Sequence, residues 1–551
     1  MTARASSSIP DPWLAADAAG WHVVDAGTLT GDTTLEADVV IVGSGAGGGT
    51  AAEILADAGL RVLLVEEGPL KSSRDFNMRE AEAYPQLYQD SAARKTRDKA
   101  INILQGRCVG GGTTVNWTSS FRTPPTTLAY WREHCGLPGF TEAAMAPWFA
   151  RMESRLSIAP WAVAPNANNE ALARGARSIG IMAPAIRRNV KGCWNLGYCG
   201  MGCPTNAKQS MLVTTIPAAL AKGATLVTRV RAERFVTRGD RVVALEARAM
   251  NAAGTAATGH RVSLRGSTFI AAAGAIGTPG LLLRSRLPDP LALTGRRTFL
   301  HPSVVSAAVM PDIIDGFAGA PQTIYSDHYL DTQLVDGPIG YKLEAPPLHP
   351  ILTAITLPED GEAHARSMQQ FRNLQVVIAL LRDGFHPDSP GGTVHLRDDG
   401  TPVLDYPLTP FLWDGMRRAF VTMAEIQFAA GATSVSPGHG AGIAFTSFAQ
   451  AKAAIGSFDL APIVTRVVSA HVMGGAPLGP DPRRAVVDVD GRHHHLRNLH
   501  VMDGSLFPTS IGANPQLSIY ALAARLASGL AAQLRPTPTA ATAATTMNRR
   551  P

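Results

Sequence analysis

The sequence predicts an α/β protein. A Rossmann-type dinucleotide-binding domain, discontinuous along the chain, carries a substrate domain of antiparallel sheet plus helices. Three observations predict this. Val39-Val-Ile-Val42 runs straight into Gly43-x-Gly45-x-x-Gly48, and a small-residue helix and a second apolar strand, Val62–Val65, follow. Far downstream, Thr268-Phe-Ile-Ala-Ala-Ala runs into Gly274-Ala-Ile-Gly, another strand-to-helix turn on small residues. Between about 303 and 455, β-like segments alternate with Pro-rich turns, the pattern of a separate sheet.

In the first unit each glycine has a separate reason. Gly43 permits the tight turn, Gly45 lets a pyrophosphate approach the backbone, and Gly48 lets the helix pack close to the sheet. Glu66 closes the second strand, where a carboxylate binds a ribose hydroxyl. The motif specifies a dinucleotide and leaves NAD and FAD open.

At 551 residues the chain exceeds one simple core. It is 45% hydrophobic and 17% charged, with a net charge of +6, the balance of an ordinary globular protein. The basic clusters Arg94-Lys95-x-Arg97-x-Lys99 and Arg187-Arg188-x-x-Lys191 are short and lack interleaved aromatics. They read as solvated faces, so no nucleic-acid partner is expected. No apolar run reaches the roughly 18 residues of a membrane span, so no integral membrane segment is expected. Met1–Pro10 lacks a basic region followed by an apolar one, and the expected location is the cytoplasm. Five cysteines in so long a chain argue against a disulfide framework.

Taken in order, residues 1–34 form an N-terminal arm. The nucleotide-binding domain is expected at 35–125, 191–302 and 456–535, and the substrate domain at 126–190 and 303–455. Lys71–Lys99 is polar and crosses the surface. Gly110-Gly-Gly112 is poor helix and poor strand, which suits either a plain loop or close approach of a cofactor ring. Helical patterns cover Leu128–Cys135, Glu142–Leu156 and Glu170–Gly180. Strands follow at Thr225–Val227, Arg241–Ala249 and Arg261–Ala272, the last two joined by a hairpin. The second domain holds β-like segments at Ser303–Val309, Gln375–Leu381, Thr393–Leu396 and Pro402–Tyr406, with a helix over Phe411–Ala430. His493-His494-His495 reads as an exposed hairpin beside Asp490-Gly491, not as a metal site. The Thr/Ala/Pro-rich tail, 536–551, is expected to be disordered.

Several matches, in order along the chain, resemble the glucose–methanol–choline (GMC) family of FAD-dependent oxidoreductases. They are Gly43/Gly45/Gly48 with Glu66, Gly106-Arg-Cys-Val-Gly-Gly-Gly-Thr-Thr-Val-Asn116, and Gly274-Ala-x-x-Thr-Pro-x-Leu-Leu-x-x-Ser285. The C-terminal set is His471-x-x-Gly-Gly, Asp503-Gly504 and Asn514-Pro515. Arg286 departs from the pattern, standing where a glycine is usual. Tyr198-Cys-Gly-Met-Gly-Cys203-Pro, Ala207-Lys-Gln-Ser210, His301-Pro302 and Leu343-Glu344-Ala-Pro-Pro resemble the long-chain (fatty) alcohol oxidase branch.

The resemblance implies alcohol oxidation by hydride transfer to flavin N5. His471 would be the base, and Asn514 would hydrogen-bond the alcohol oxygen. Glu344 matches a carboxylate that lines the cholesterol oxidase site; a surface loop carboxylate is the other reading. FAD would be held by Gly43, Gly45, Gly48 and Glu66, with Ala232 at the adenine. Gly111, Asn116 and Trp117 would approach the ring, and Asp503, Gly504 and Gln516 would close on its far side. No histidine lies in Gly106–Asn116, so the FAD is expected to be non-covalent. His301 is expected to be structural.

Cys193-x5-Cys199-x3-Cys203 matches the spacing of a [3Fe-4S] ligand set found in the catalytic subunits of bacterial glucose dehydrogenases; three free thiols are the other reading. The expected substrate is a long-chain or otherwise lipophilic alcohol, with O2 accepting the electrons to give H2O2. The alternatives are a dehydrogenase passing electrons to a quinone, cytochrome or other acceptor, oxidation of a sterol, sugar or aminoglycoside hydroxyl, and a non-catalytic flavin protein in electron transfer.

Overall fold

The computed structural model describes residues 9–16, 19–357, 359–440 and 442–534. The expected disordered tail and the first eight residues of the arm lie outside these. The main sheet takes its strands in the spatial order His22–Asp25, Thr225–Thr228, Val62–Val65, Thr33–Val42, Ala257–Ala271, Arg241–Met250, Val230–Arg238. The first five run parallel and the last three are joined by antiparallel pairing. Val39–Ile41 and Leu63–Val65 are buried on both faces, which is why these strands read as unbroken apolar runs. Ala257–Ala271 starts as one arm of a hairpin. It ends inside the parallel sheet, between Thr33–Val42 and the late strand Leu499–Val501.

A second sheet has the order Tyr325–Ser326, Tyr341–Glu344, Leu374–Leu381, Ser303–Val309, Val467–Ser469, Ile101–Ile103, and Ser434–Pro437 also pairs with Ser303–Val309. The period of two divides its faces. Val304, Ala308, Val377 and Ala379 are buried in one core with the helices Pro410–Ala429 and Ala167–Ser178. Gln427 on the first of these helices accepts from Ser306 at 2.6 Å. The intervening residues Val305, Ala307, Val309, Val376 and Ile378 face a cavity between the two sheets.

A third, four-stranded sheet has the order Pro402–Asp405, Gly392–Leu396, Arg296–Leu300, Val472–Gly474. Its register pairs Leu300 with Val472. That pairing brings the residues just outside it, His301 and His471, side by side.

The stretch 126–190, expected wholly in the substrate layer, divides. Leu128, Trp131, Met145, Phe149 and Met152, from helices Pro125–His134 and Glu142–Arg155, are buried in the first core beside the main sheet. Ala167–Ser178 alone joins the second core. The sequence shows which face of each helix is apolar but not which core receives it. Likewise Val467–Ser469, expected with the nucleotide-binding segments, pairs into the second sheet. The polar stretch 71–99 contains the helix Glu80–Leu87 and buries Leu87 and Tyr88.

Arg286, the departure from the family pattern, has φ +50°. A side chain there costs roughly 1 kcal/mol, which accounts for a glycine preference. Among the described residues one helix, Gln516–Leu534, is long and apolar enough to cross a membrane by length and composition. Leu517, Tyr520, Leu522, Leu526 and Leu530 on it are buried in the first core.

Candidate active site

A cavity of about 1150 Å³ runs from the first glycine turn to the late histidine. Gly43, Gly45, Glu66, Gly111, Asn116, Trp117, Ala232, His471, Asp503, Gly504, Asn514 and Gln516 all line it, although the sequence scatters them over more than 450 positions. Gly48 lies one step behind the wall. A Cβ there would sit 1.8 Å from the Gly43 carbonyl oxygen, so only glycine lets the helix Ala46–Asp57 reach the sheet. Gly47 is equally constrained, 1.6 Å from the Met502 oxygen. Gly45 differs: its Cβ would meet nothing nearer than Gly111 Cα at 3.9 Å. It borders open cavity, as a backbone meant for close approach by a pyrophosphate must.

Glu66 is 7% exposed, and its carboxylate accepts from Ser44 N at 3.1 Å, Ser44 Oγ at 2.5 Å and Gly68 N at 2.9 Å. Burial pushes its carboxyl above the usual range, against those hydrogen bonds. Ser44 Oγ also accepts from Gly110 N at 3.0 Å, tying the first turn to the triple-glycine segment. Asp503 accepts from Gly274 N at 2.8 Å, Thr278 Oγ1 at 2.6 Å and Ser505 N at 2.9 Å. Its carboxylate thus faces the start of the helix Gly274–Arg284, where the dipole favours a negative charge, while burial pushes its carboxyl above the usual range. Gln516 accepts from Asn116 Nδ2 at 2.8 Å and donates to Ser119 O at 2.7 Å. That pair fixes the start of the C-terminal helix against the Asn116 segment. A continuous wall of bare glycine backbone with a buried carboxylate at one end fits an FAD-sized dinucleotide.

At the other end, His301 Nδ1 and His471 Nδ1 are 3.0 Å apart. The Gly512 N–H donates to His301 Nε2 at 3.2 Å. One proton is shared between the two Nδ1 atoms. On His471 it leaves Nε2 a bare acceptor; on His301, the arrangement the Gly512 donor favours, it makes His471 Nε2 a donor. Burial, helped by the Lys342 charge, holds His471 down to about 4 and His301 well below its ordinary value. Both rings are therefore neutral at pH 7.

Glu344 is not on a surface loop. It is 0% exposed, on the cavity face opposite Ile378. Gln322 Nε2 donates to its Oε2, and Asn514 Nδ2 lies 3.4 Å from the same oxygen. Burial pushes its carboxyl up to about 7 against the opposing pull of Lys342. Glu344 Oε1 and Asn514 Oδ1 are buried without protein partners, a cost of roughly 1–3 kcal/mol each that a hydrogen-bonding ligand relieves. Lys342 is itself buried, paired with Asp327 and held 3.9 Å from the Phe121 ring centroid. Reading the sequence for site residues passes over Lys342 and Gln322. The first stands two positions from Glu344 on one strand face, which alternation would have exposed; for Gln322 we find no sequence signal.

The cysteines do not assemble. Among the described residues no group of three or more His, Cys, Asp or Glu side chains could hold a metal ion, so the [3Fe-4S] reading has no support. Each thiol bonds locally instead: Cys193 accepts from Asn195 N, Cys203 from Lys208 N, and Cys199 from Arg188. The histidine run also differs from expectation. His493 is buried, and desolvation holds it down to about 4.

The N-terminal and C-terminal family models of the GMC oxidoreductases match residues 84–303 and 387–523. An uncharacterized GMC-type oxidoreductase of Sinorhizobium fredii is 27% identical over 91% of this chain and 95% of its own length. A long-chain-alcohol oxidase of Arabidopsis thaliana is 29% identical over 89% of this chain and 66% of its own, longer sequence. Formate oxidase of Aspergillus oryzae superposes with a TM-score of 0.68 at 16% identity, over 92% of this chain and all of that one.

Proposed function

Because the chain belongs to the GMC oxidoreductase family, we propose that this oxidoreductase uses non-covalent FAD to convert a long-chain or otherwise lipophilic alcohol to the aldehyde or ketone. The observation that carries this reading is the neutral His471 at the head of an apolar cavity. His471 takes the hydroxyl proton at Nε2 as the carbon loses hydride. The Gly512 hydrogen bond places the resting proton on His301 Nδ1, so the base form is the minor tautomer, with His471 protonated at Nδ1, His301 at Nε2 and the Gly512 bond released. Asn514, whose amide carries a second hydrogen, donates to the alcohol oxygen as charge develops there. When bound, FAD supplies the hydride acceptor; the protein supplies orientation, the base and the field. Glu344, whose carboxyl is pushed up to about 7 by burial, orients Asn514.

The apolar strip beyond the histidine supports the substrate class. Val305, Ala307, Val309, Val376 and Ile378 form one wall, and Leu348 and Leu352 stand among the other lining residues. Such a surface gains about 0.8 kcal/mol for each methylene it buries, although Ser434 and Ser436 stand across from Val309 and Ala307 on the same lining. The likeness to the plant long-chain-alcohol oxidase points the same way.

The test is anaerobic flavin bleaching across a panel of alcohols of increasing chain length, followed by reoxidation. Bleaching by long-chain alcohols and recovery in O2 with H2O2 formed is the expected result. Recovery only with quinones or dyes would make the enzyme a dehydrogenase. A purified protein carrying no acid-releasable flavin after reconstitution would sink the reading altogether.

A further inference from the structure

Two buried cations stand behind the cavity wall, and among the described residues neither is in a salt bridge with a carboxylate; Glu344 acts on Arg188 only through its field. Lys208 is 2% exposed and Arg188 1%. The Lys208 ammonium donates to three carbonyl oxygens: Thr114 at 2.6 Å, Asn116 at 2.9 Å and Cys199 at 2.7 Å. The Arg188 guanidinium donates to Trp117 O at 3.0 Å, Thr118 Oγ1 at 2.7 Å, Pro321 O at 2.8 Å and Cys199 Sγ at 3.8 Å. Their acceptors are neutral carbonyls, a hydroxyl and a thiol. Burial lowers Arg188 and brings Lys208 down to about 8, so both remain charged at pH 7. Of the surrounding thiols, burial pushes Cys193 and Cys108 up, away from the thiolate.

Burying a charge without a salt-bridge partner costs several kcal/mol; Arg188 is offset in part by the Trp161 ring, 4.8 Å from its guanidinium carbon. Three of the five carbonyls they hold belong to residues 114–117, and Val115, Asn116, Trp117 and Thr118 line the cavity alongside His471 and Asn514. The two positive charges therefore stand directly behind the segment that lines the cavity beside His471 and Asn514. The clustered cysteines gain a role as well. Cys199 gives both a carbonyl and a sulfur to these cations, so the conspicuous Cys199-x3-Cys203 and Ala207-Lys208 stretches form a bracket, not a cluster site.

We propose that Lys208 and Arg188 are positioning residues that fix the Thr114–Thr118 wall by its carbonyls and bias the site toward the reduced, more negative cofactor. The proposal rests on the reading that this cavity holds FAD. Loss of one charge weakens binding of the reduced form more than that of the oxidised form, and so lowers the flavin midpoint potential.

The experiment is an anaerobic redox titration of the flavin in purified holoenzyme, comparing wild type with Lys208→Met, Lys208→Arg and Arg188→Gln. Lys208→Met is expected to shift the reduced-to-oxidised affinity ratio at least tenfold, about 30 mV downward for a two-electron couple. Lys208→Arg keeps the charge and is expected to stay near wild type. If Lys208→Met does not fold, Arg188→Gln carries the same expectation. An unchanged potential in a flavin-loaded neutral variant overturns the proposal. So does loss of flavin from Lys208→Arg together with both neutral variants, which would leave only an architectural role. A wild-type protein without flavin would refute the FAD reading instead, and the two failures are thereby distinct.

Discussion

His301 and His471 meet through their Nδ1 atoms at 3.0 Å, with ring planes at 89°. Neither contact is local in sequence. The antiparallel pairing of Leu300 with Val472 creates it, and the Gly512 N–H behind His301 favours the tautomer in which His301 Nδ1 donates to His471. A ring held at one nitrogen presents the other in a fixed orientation, which a proton-transferring group needs.

His301→Ala should therefore retain FAD and substrate binding but slow flavin reduction by about 10- to 100-fold, because His471 is left free to turn. Stopped-flow reduction at saturating alcohol measures it. An unchanged limiting rate would show that the pair has no part in the chemistry. His471→Ala should cost more, about 10²- to 10⁴-fold, with the flavin spectrum intact.

The two glycines of the first turn separate folding from cofactor binding. Gly48→Ala places a methyl 1.8 Å from the Gly43 oxygen and should abolish soluble, folded protein. Gly45→Ala meets nothing within 3.9 Å, so its methyl projects into the cavity alone. That variant should melt near the wild-type apoprotein yet bind FAD at least tenfold more weakly by fluorescence titration. Equal FAD affinity would place the pyrophosphate elsewhere.

Buried histidines give a pH signature. His500 is 5% exposed on the strand Leu499–Val501, and burial holds it down to about 4. Its folded value lies below its unfolded one of 6.5. Its neutral form therefore contributes stability that is complete above about 6.5 and lost as pH falls through about 4. Glu344 and Asp383 are shifted upward, to about 7 and about 6, and act in the opposite sense. The whole-protein curve therefore masks the effect, and a variant is needed. The stability difference between wild type and His500→Gln should move against wild type by a few kcal/mol between pH 7 and pH 4 in urea unfolding. A constant difference would mean that His500 titrates normally in the fold.

Much of this arrangement was legible in the sequence, for a physical reason. The Gly43–Gly48 turn and Glu66 are read from a short motif because local backbone geometry dictates their residue types, whereas His471 and Asn514 are read through the resemblance to the GMC family. What was not legible depends on pairings between distant segments. Glu344 could be a loop carboxylate or a buried one until its strand paired with Leu374–Leu381 and placed it opposite Ile378. The helices at 125–134 and 142–155 show an amphipathic stripe that fits either core equally. The three cysteines carry a metal-like spacing, yet their thiols turn toward Asn195, Arg188 and Lys208.

The apolar strip gives the last prediction, on chain length. Val376 lies on the cavity face of the strand Leu374–Leu381, two residues from Ile378. Ile378 is the register partner of Glu344, which in turn adjoins Asn514. Along the strand, position 376 is therefore one side-chain step further from the reacting end, about 7 Å away at strand rise. A hydrocarbon tail leaving the histidine along this strip must pass over it. Val376→Trp fills that step without adding charge, so its cost falls on substrates long enough to reach it. Each methylene denied burial forfeits about 0.8 kcal/mol, close to a fourfold loss in kcat/KM. Three or four lost methylenes shift the ratio of kcat/KM for a long alcohol over a short one by roughly 50- to 200-fold. The measurement is that ratio across a homologous series from short to long chains. A fall that is uniform with chain length would mean the tail leaves by another route, and the strip would then have no part in selecting the substrate.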